Sequence, residues 1–322
     1  MKNGAVNLFG LGFITILFLA SSCSSLPKTA KTAVASKNVA AEYSAMADKF
    51  FQEGNYASAL QFYGEAIDSA LSVDDVAGGI KARNSIGRVY LAINRPADAE
   101  REFSDALLDS RNLGDEGLVA LCLSNLGELR YTQNSYQEAE ALFLEAESLA
   151  GQKGVASKPG NAELLAVIYH NKGVTAIALG RLDEAEALIL KAAQSNEKAY
   201  RWTELGSNCY SLASLYNARG NLDTALFWAK KALDSDKKAE NSTGIGADLE
   251  ALSRLSERNG ELGPALDYKR RAFGVWLSIN RAKEAEACLD GLIRLSAALG
   301  EHALSDRYKS QLEMLKDYAE NM

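Results

Sequence analysis

Histidine is almost missing from this chain, proline is scarce and no apolar run is long, and each shortage narrows what the chain can be. Its two histidines, His170 and His302, lie far apart in sequence. No HExxH, CxxC or Walker-type loop occurs. Carboxylates are plentiful, but Glu138, Glu140, Glu145 and Glu147 recur at helical intervals near basic residues, as on a solvated helix face. The sequence therefore predicts no catalytic residue, no metal and no cofactor. With only 4 prolines and few β-branched runs, but abundant alanine and leucine, the composition favours an all-α protein. A net charge of −7 implies no general affinity for nucleic acid. The longest apolar stretch, Leu8 to Ala20, has thirteen residues, whereas a membrane-spanning helix needs about 20.

What is there begins with a targeting segment. Lys2 followed by that apolar stretch reads as a signal peptide over 1–22. Leu19-Ala20-Ser21-Ser22-Cys23 resembles a bacterial lipobox, which implies that Cys23 becomes a lipidated mature N-terminus. Ordinary cleavage after Ser22 fits the same small residues. Residues 24–38, small, polar and basic, read as a flexible tether behind Cys23. Of the remaining cysteines, Cys122 and Cys209 fall two hairpins apart in the repeat described next, too far for a disulfide. All three are expected to be buried, inert thiols.

The rest of the chain repeats. A turn is followed by alanine, by a large residue four positions on and by a second alanine three further on. Ala59, Tyr63 and Ala66 form one such set, followed by Ala99, Phe103 and Ala106, and then by Ala139, Phe143 and Ala146. Ala185, Ile189 and Ala192 continue it, as do Ala225, Ala229 and Ala232 and then Ala265, Lys269 and Ala272. A worn seventh copy is placed at Ala303 and Tyr308. Twelve residues before the first alanine stands a small landmark: Gly87, Gly127, Gly173, Ala213, Ser253. This pattern resembles the tetratricopeptide repeat in a long form, with spacings of 40, 40, 46, 40, 40 and 38 against a usual period of about 34. The resemblance implies a right-handed α-solenoid of about seven helical hairpins. Repeats 1–3 are expected over 39–149, an inserted loop over 150–162 (rich in glycine, with Pro159), and repeats 4–6 with a degenerate seventh or capping pair over 163–322. Close crossing at the small landmarks makes Gly127 and Ala139 intolerant of a large side chain.

The resemblance further implies that the first helix of each hairpin lines a concave groove that binds another protein or a peptide. Counted from the landmark as position 8, the groove positions 2, 5, 6, 9, 12 and 13 select candidate partner-binding residues. These are Lys81, Asn84 and Arg88; Asn125, Glu128 and Tyr131; His170 and Asn171; Tyr210, Ser214 and Asn217; and Arg254. Asn125 and Asn171 share one position in adjacent hairpins and resemble the peptide-backbone clamps of the family. Tyr210 is the expected anchor. The function that follows is a lipid-anchored, non-catalytic scaffold of the bacterial cell envelope, expected on the outer membrane and facing the periplasm or the surface. A surface adhesin for host protein or glycan, a partner of a periplasmic substrate-binding protein, and a carrier using an apolar groove at Val174 and Ile177 remain alternatives.

Overall fold

The computed structural model describes residues 29–155 and 160–320. The signal peptide, Cys23 and the start of the tether lie outside the described residues. Those described form fourteen α-helices and no strand. In chain order they are α1 (Thr29–Gln52), α2 (Tyr56–Leu71), α3 (Val76–Ala92), α4 (Pro96–Leu113), α5 (Glu116–Thr132), α6 (Tyr136–Ala150) and α7 (Asn161–Ala178). They continue with α8 (Leu182–Lys198), α9 (Trp202–Ala218), α10 (Leu222–Lys238), α11 (Ser242–Arg258), α12 (Leu262–Ser278), α13 (Ala282–Ala298) and α14 (His302–Glu320). The chain divides into two compact units at Gly114–Asp115. The first holds two hairpins, α1–α4, and the second five, α5–α14. Within each unit every helix packs on its chain neighbours, and in unit two α5, α7, α9 and α11 also touch in succession. This is the all-α solenoid arrangement of stacked hairpins.

Two boundaries differ from expectation. The segment 29–38, read as tether, is the first part of α1. Ala30, Ala33, Val34, Ala35, Ala40 and Ala41 give it helix propensity that its lysines and serine do not oppose. The division into units falls after the second hairpin, whereas the sequence placed a break after the third. The inserted segment is tied down at both ends. Val155 is buried, and Asn161 Nδ2 donates to the Ala150 carbonyl at 2.8 Å, fastening α7 to the end of α6.

The helix joints carry a finer period than the hairpins. A left-handed residue stands at Gly54, Asp74, Asn94, Gly114, Asn134, Gly160, Gly180, Tyr200, Gly220, Glu240, Gly260, Asn280 and Gly300. Every interval is 20 residues except Asn134 to Gly160, which is 26 and contains the insertion. Most joints close the same way. At the first, Gly54 N donates to Phe51 O at 3.0 Å and Asn55 N to Phe50 O at 2.8 Å, the paired bonds that end a helix on a left-handed residue. The next residue already caps the following helix, as Asn55, Asp75, Asn221 and Asn241 do through their side chains.

This period corrects the seventh repeat. Five residues after each within-hairpin joint comes the buried signature alanine, so Gly300 points to Ser305 and not to Ala303. Ser305 is buried, Ala303 is exposed, and the spacing from Ala265 returns to 40. The Ser305 hydroxyl fits there because it donates to the Ile293 carbonyl at 3.1 Å.

Inside a hairpin the landmark glycine meets the large residue of its own partner helix. A Cβ on Gly87 would lie 2.4 Å from the Phe103 ring, and one on Gly127 2.6 Å from the Phe143 ring. One on Gly173 would lie 2.5 Å from Ile189. The large residue thus fills the space inside its own hairpin. In the fifth hairpin both members are alanine, Ala213 and Ala229, in one buried cluster with Trp276.

Candidate partner-binding face

Helix register decides which groove candidates reach solvent. In unit one, Lys81 and Arg88 are exposed, whereas Asn84 is buried and donates to the Ile80 carbonyl of its own helix at 3.0 Å. Arg88 lies 5.6 Å from the Phe51 ring centre. Lys81 edges a cavity of about 470 Å³ between α1 and α3, lined also by Ser44, Asp48, Tyr63, Asp75 and Ser85. Alanines of α1 and α3 leave the cavity open. The Tyr63 hydroxyl donates to Asp48 at 2.5 Å, and burial, then this carboxylate, push its pKa up. Part of this cavity's wall is α1 of the first hairpin, whereas the groove positions selected from the sequence lie in hairpins two to six.

In unit two, α5, α7, α9 and α11 stand side by side, so positions 5 and 6 turn largely toward neighbouring helices. Asn125 is buried, and Asn171 is half-buried. They therefore do not form the open clamp that their matching positions suggest. Ser124 is buried as well. The accessible face is built from positions 9, 12 and 13 and from Tyr210. Glu128 and Tyr131 lie on α5, Val174 and Ile177 on α7, Tyr210, Ser214 and Asn217 on α9, and Arg254 and Arg258 on α11. Tyr131 packs its ring against Tyr136 at 5.4 Å between centres. Arg254 donates to the Tyr210 hydroxyl at 3.5 Å, and Arg258 donates to Asn217 Oδ1.

His170 turns inward from this face. Asn208 Nδ2 donates to its Nδ1 at 2.8 Å, which leaves the proton on Nε2, and Asn208 Oδ1 accepts from Asn196 at 2.8 Å. Burial pushes the imidazole pKa down to about 4, so the ring is a neutral acceptor under ordinary conditions. Forty residues on, Asp236 and Asp248 occupy the positions of Asn196 and Asn208. Both are buried, Asn241 Nδ2 donates to Asp236 at 3.0 Å, and the two carboxyls face each other. Burial, with the negative charge of Asp236 beside it, pushes Asp248 up to about 9. One shared proton lets two acids occupy the joint between the fifth and sixth hairpins.

Cys122, Cys209 and Cys288 are free and fully buried, and burial raises the pKa values of Cys209 and Cys288 to about 12. Among the described residues no group of three or more potential ligands could hold a metal ion. No described helix is long and apolar enough to cross a membrane.

Models of the tetratricopeptide repeat match residues 80–152 and 166–198. Tetratricopeptide repeats are thus recognised in those two stretches. No curated protein sequence matches it. Solved structures share the fold at low identity. A Rap protein complexed with competence and sporulation factor has 18% identity and a TM-score of 0.60, over 87% of this chain and 75% of that one. The Rap conjugation gene regulator of plasmid pLS20, in complex with a Phr peptide, has 17% identity and a TM-score of 0.61, over 85% and 73%. A signal-transduction ATPase from Pyrococcus horikoshii with a tetratricopeptide repeat sensor has 15% identity and a TM-score of 0.61, over 86% of this chain and 41% of that one. At these identities the likeness is one of fold.

Proposed function

We propose that this protein is a non-catalytic scaffold, and that the α5–α7–α9–α11 face of unit two holds an extended segment of a protein or peptide partner. The observation that carries this reading is the row of exposed and half-exposed carboxylate, hydroxyl, amide, aromatic and guanidinium groups from Glu128 to Arg258 on successive first helices. These groups offer donors and acceptors to a peptide backbone, with Tyr210 as a rigid amphipathic contact. Two structures of similar fold were solved in complex with competence and sporulation factor or with a Phr peptide, which supports the same use of the fold here. The lipobox resemblance supports attachment through Cys23 to a membrane of the bacterial cell envelope.

A photo-crosslinking residue in place of Tyr210, in the membrane-bound protein, tests the binding reading. One abundant protein adduct, reduced when Ser214 and Asn217 are changed to Ala, is the expected result. Folded protein that yields no adduct would reject the face as a partner site. The anchor is tested separately by incorporation of labelled palmitate. Loss of label in Cys23→Ser is expected, and an unlabelled native chain excludes lipidation.

A further inference from the structure

The charge on the α9–α11 part of this face is one-sided, and its geometry indicates what kind of segment it takes. The inference rests on the binding reading above and deepens it. At the groove positions of α9 the side chains are Ser207, Tyr210, Ser211, Ser214 and Asn217, with no charge among them. At the groove positions of α11 the charged groups are Glu250, Arg254, Glu257 and Arg258. Both acids are already engaged. Arg294 of α13 grips Glu257 through two nitrogens, one of them at 2.9 Å, and holds that carboxyl below its usual range. Glu250 turns toward the core, where it accepts from Trp276 Nε1 at 2.8 Å and from the buried Lys269 at 3.4 Å.

Pairing Glu257 with Arg294 and Glu250 with Lys269 leaves two cations on α11. Arg254 shares Glu250 Oε2 with Lys269, at 3.7 Å against 3.4 Å, and otherwise meets the Tyr210 hydroxyl. Arg258 is exposed and held by the neutral Asn217 amide oxygen. Asp290, the remaining exposed acid of the neighbouring α13 wall, stands one turn before Arg294. Tyr210 and Asn217 thus orient two guanidinium groups and neutralise neither. Such forks suit carboxylates, which they can meet with paired charge-assisted hydrogen bonds.

The spacing adds specificity. Arg254 and Arg258 are one turn apart on α11, a rise of about 6 Å. Side chains two residues apart in an extended peptide share a face at about 6.6 Å. We propose that Arg254 and Arg258, positioned by Tyr210 and Asn217, recognise an extended peptide segment bearing carboxylates at alternate positions. An acidic side chain and a C-terminal carboxylate offer the same chemistry, and the test separates them.

Three fluorescein-labelled probes are compared by anisotropy with the full protein. One is a peptide of alternating glutamate and serine with a free C-terminus, the second is the same peptide amidated, and the third replaces glutamate by lysine. The glutamate peptides should bind, weaken as salt rises, and lose about tenfold or more in affinity in Arg254→Gln and in Arg258→Gln. Arg270→Gln, on the exposed side of α12, should leave binding unchanged. Equal binding of free and amidated forms assigns the site to side chains, and loss on amidation assigns it to the terminus. Equal or tighter binding of the lysine peptide, no binding of either glutamate peptide, or full binding by both arginine variants would overturn the proposal. So would displacement by inorganic phosphate as effective as by unlabelled peptide, which would indicate anion binding without peptide recognition. Thermal melts matching the native protein show that the exposed variants remain folded. If the Tyr210 crosslink forms but the acidic probes fail, the charge inference falls and the binding reading stands. If both fail, both fall.

Discussion

At the scale of single residues, the hairpins depend on a few atoms that must be absent. Gly127 has no room for a methyl group, because Phe143 ring carbons stand 2.6 and 2.9 Å from where Cβ would be. Gly127→Ala should therefore destabilise by about 1–3 kcal/mol through overpacking and lower the melting temperature. Gly64→Ala is its control, since nothing lies within 4 Å of that position in α2. There alanine should stabilise by about 0.5–1 kcal/mol through helix propensity. Two melts of opposite sign check both, and a neutral Gly127→Ala would mean that Phe143 can move aside. Buried acids give a second prediction at this scale. The folded pKa of Asp248 is raised to about 9, above its unfolded value near 3.9. Protonation of this group thus contributes stability that is full below pH ~4 and is lost as pH rises through ~9. Asp248→Asn copies Asn208, the residue one repeat earlier, and can still donate to Asp236. The drop in melting temperature between pH 6 and pH 9 should shrink in this variant, and an unchanged drop would show that the pair does not share a proton.

At the scale of helices and joints, a 20-residue unit ending in a left-handed residue organises the chain. Most such sites carry glycine or asparagine, but Asp74, Tyr200 and Glu240 do not. Glu240 is exposed at φ 54°, a conformation that costs a residue with a Cβ about 1–2 kcal/mol. Glu240→Gly should raise stability by roughly half to one kcal/mol after the entropy of glycine is charged against it. Gly260→Glu at the next joint should do the opposite, and a melt in which the two shift alike would contradict the shared geometry. These joints also show what could be read in advance. Gly54, Asn94, Gly180, Gly220 and Gly260 were legible as turns because residue type and left-handed backbone coincide. Tyr200 and Glu240 look like helix residues, so the half-period stayed hidden and the seventh signature was set on Ala303 instead of Ser305. The groove was legible only in part. A position count selects one helix face, but burial depends on how closely the next first helix approaches. That is why Tyr210 and Arg254 lie open while Asn84 and Asn125 do not. Asp236 and Asp248 were missed because charges inside a helix resemble a solvated face. The available signal was their period, since the same positions hold Ala70 and Ala82 two joints into the chain and Asn196 and Asn208 just before them.

At the scale of the whole molecule, the contacts inside each unit run from each helix to its chain neighbours, with lesser ones between alternate helices. In such an array stability is close to a sum of repeat and nearest-neighbour terms. Damage at one end of unit two should therefore stay near that end. Leu292 of α13 is fully buried in a cluster with Leu289 and Tyr308 that closes the last hairpin. Leu292→Ala removes about 2–5 kcal/mol of packing there. Native-state hydrogen exchange should then quicken across α13 and α14, and less across α12, while amides of α5 to α8 keep their protection. The charge pattern adds a consequence for the binding face. Arg294 engages Glu257, so opening of α13 frees that carboxylate beside Arg258. The same variant should consequently bind the alternating glutamate peptide more weakly, even though no residue proposed to touch the peptide has changed. Protection lost evenly from α5 to α14 would mean that unit two unfolds as one cooperative body, and the coupling between the last hairpin and the face could no longer be assigned to the Glu257–Arg294 pair.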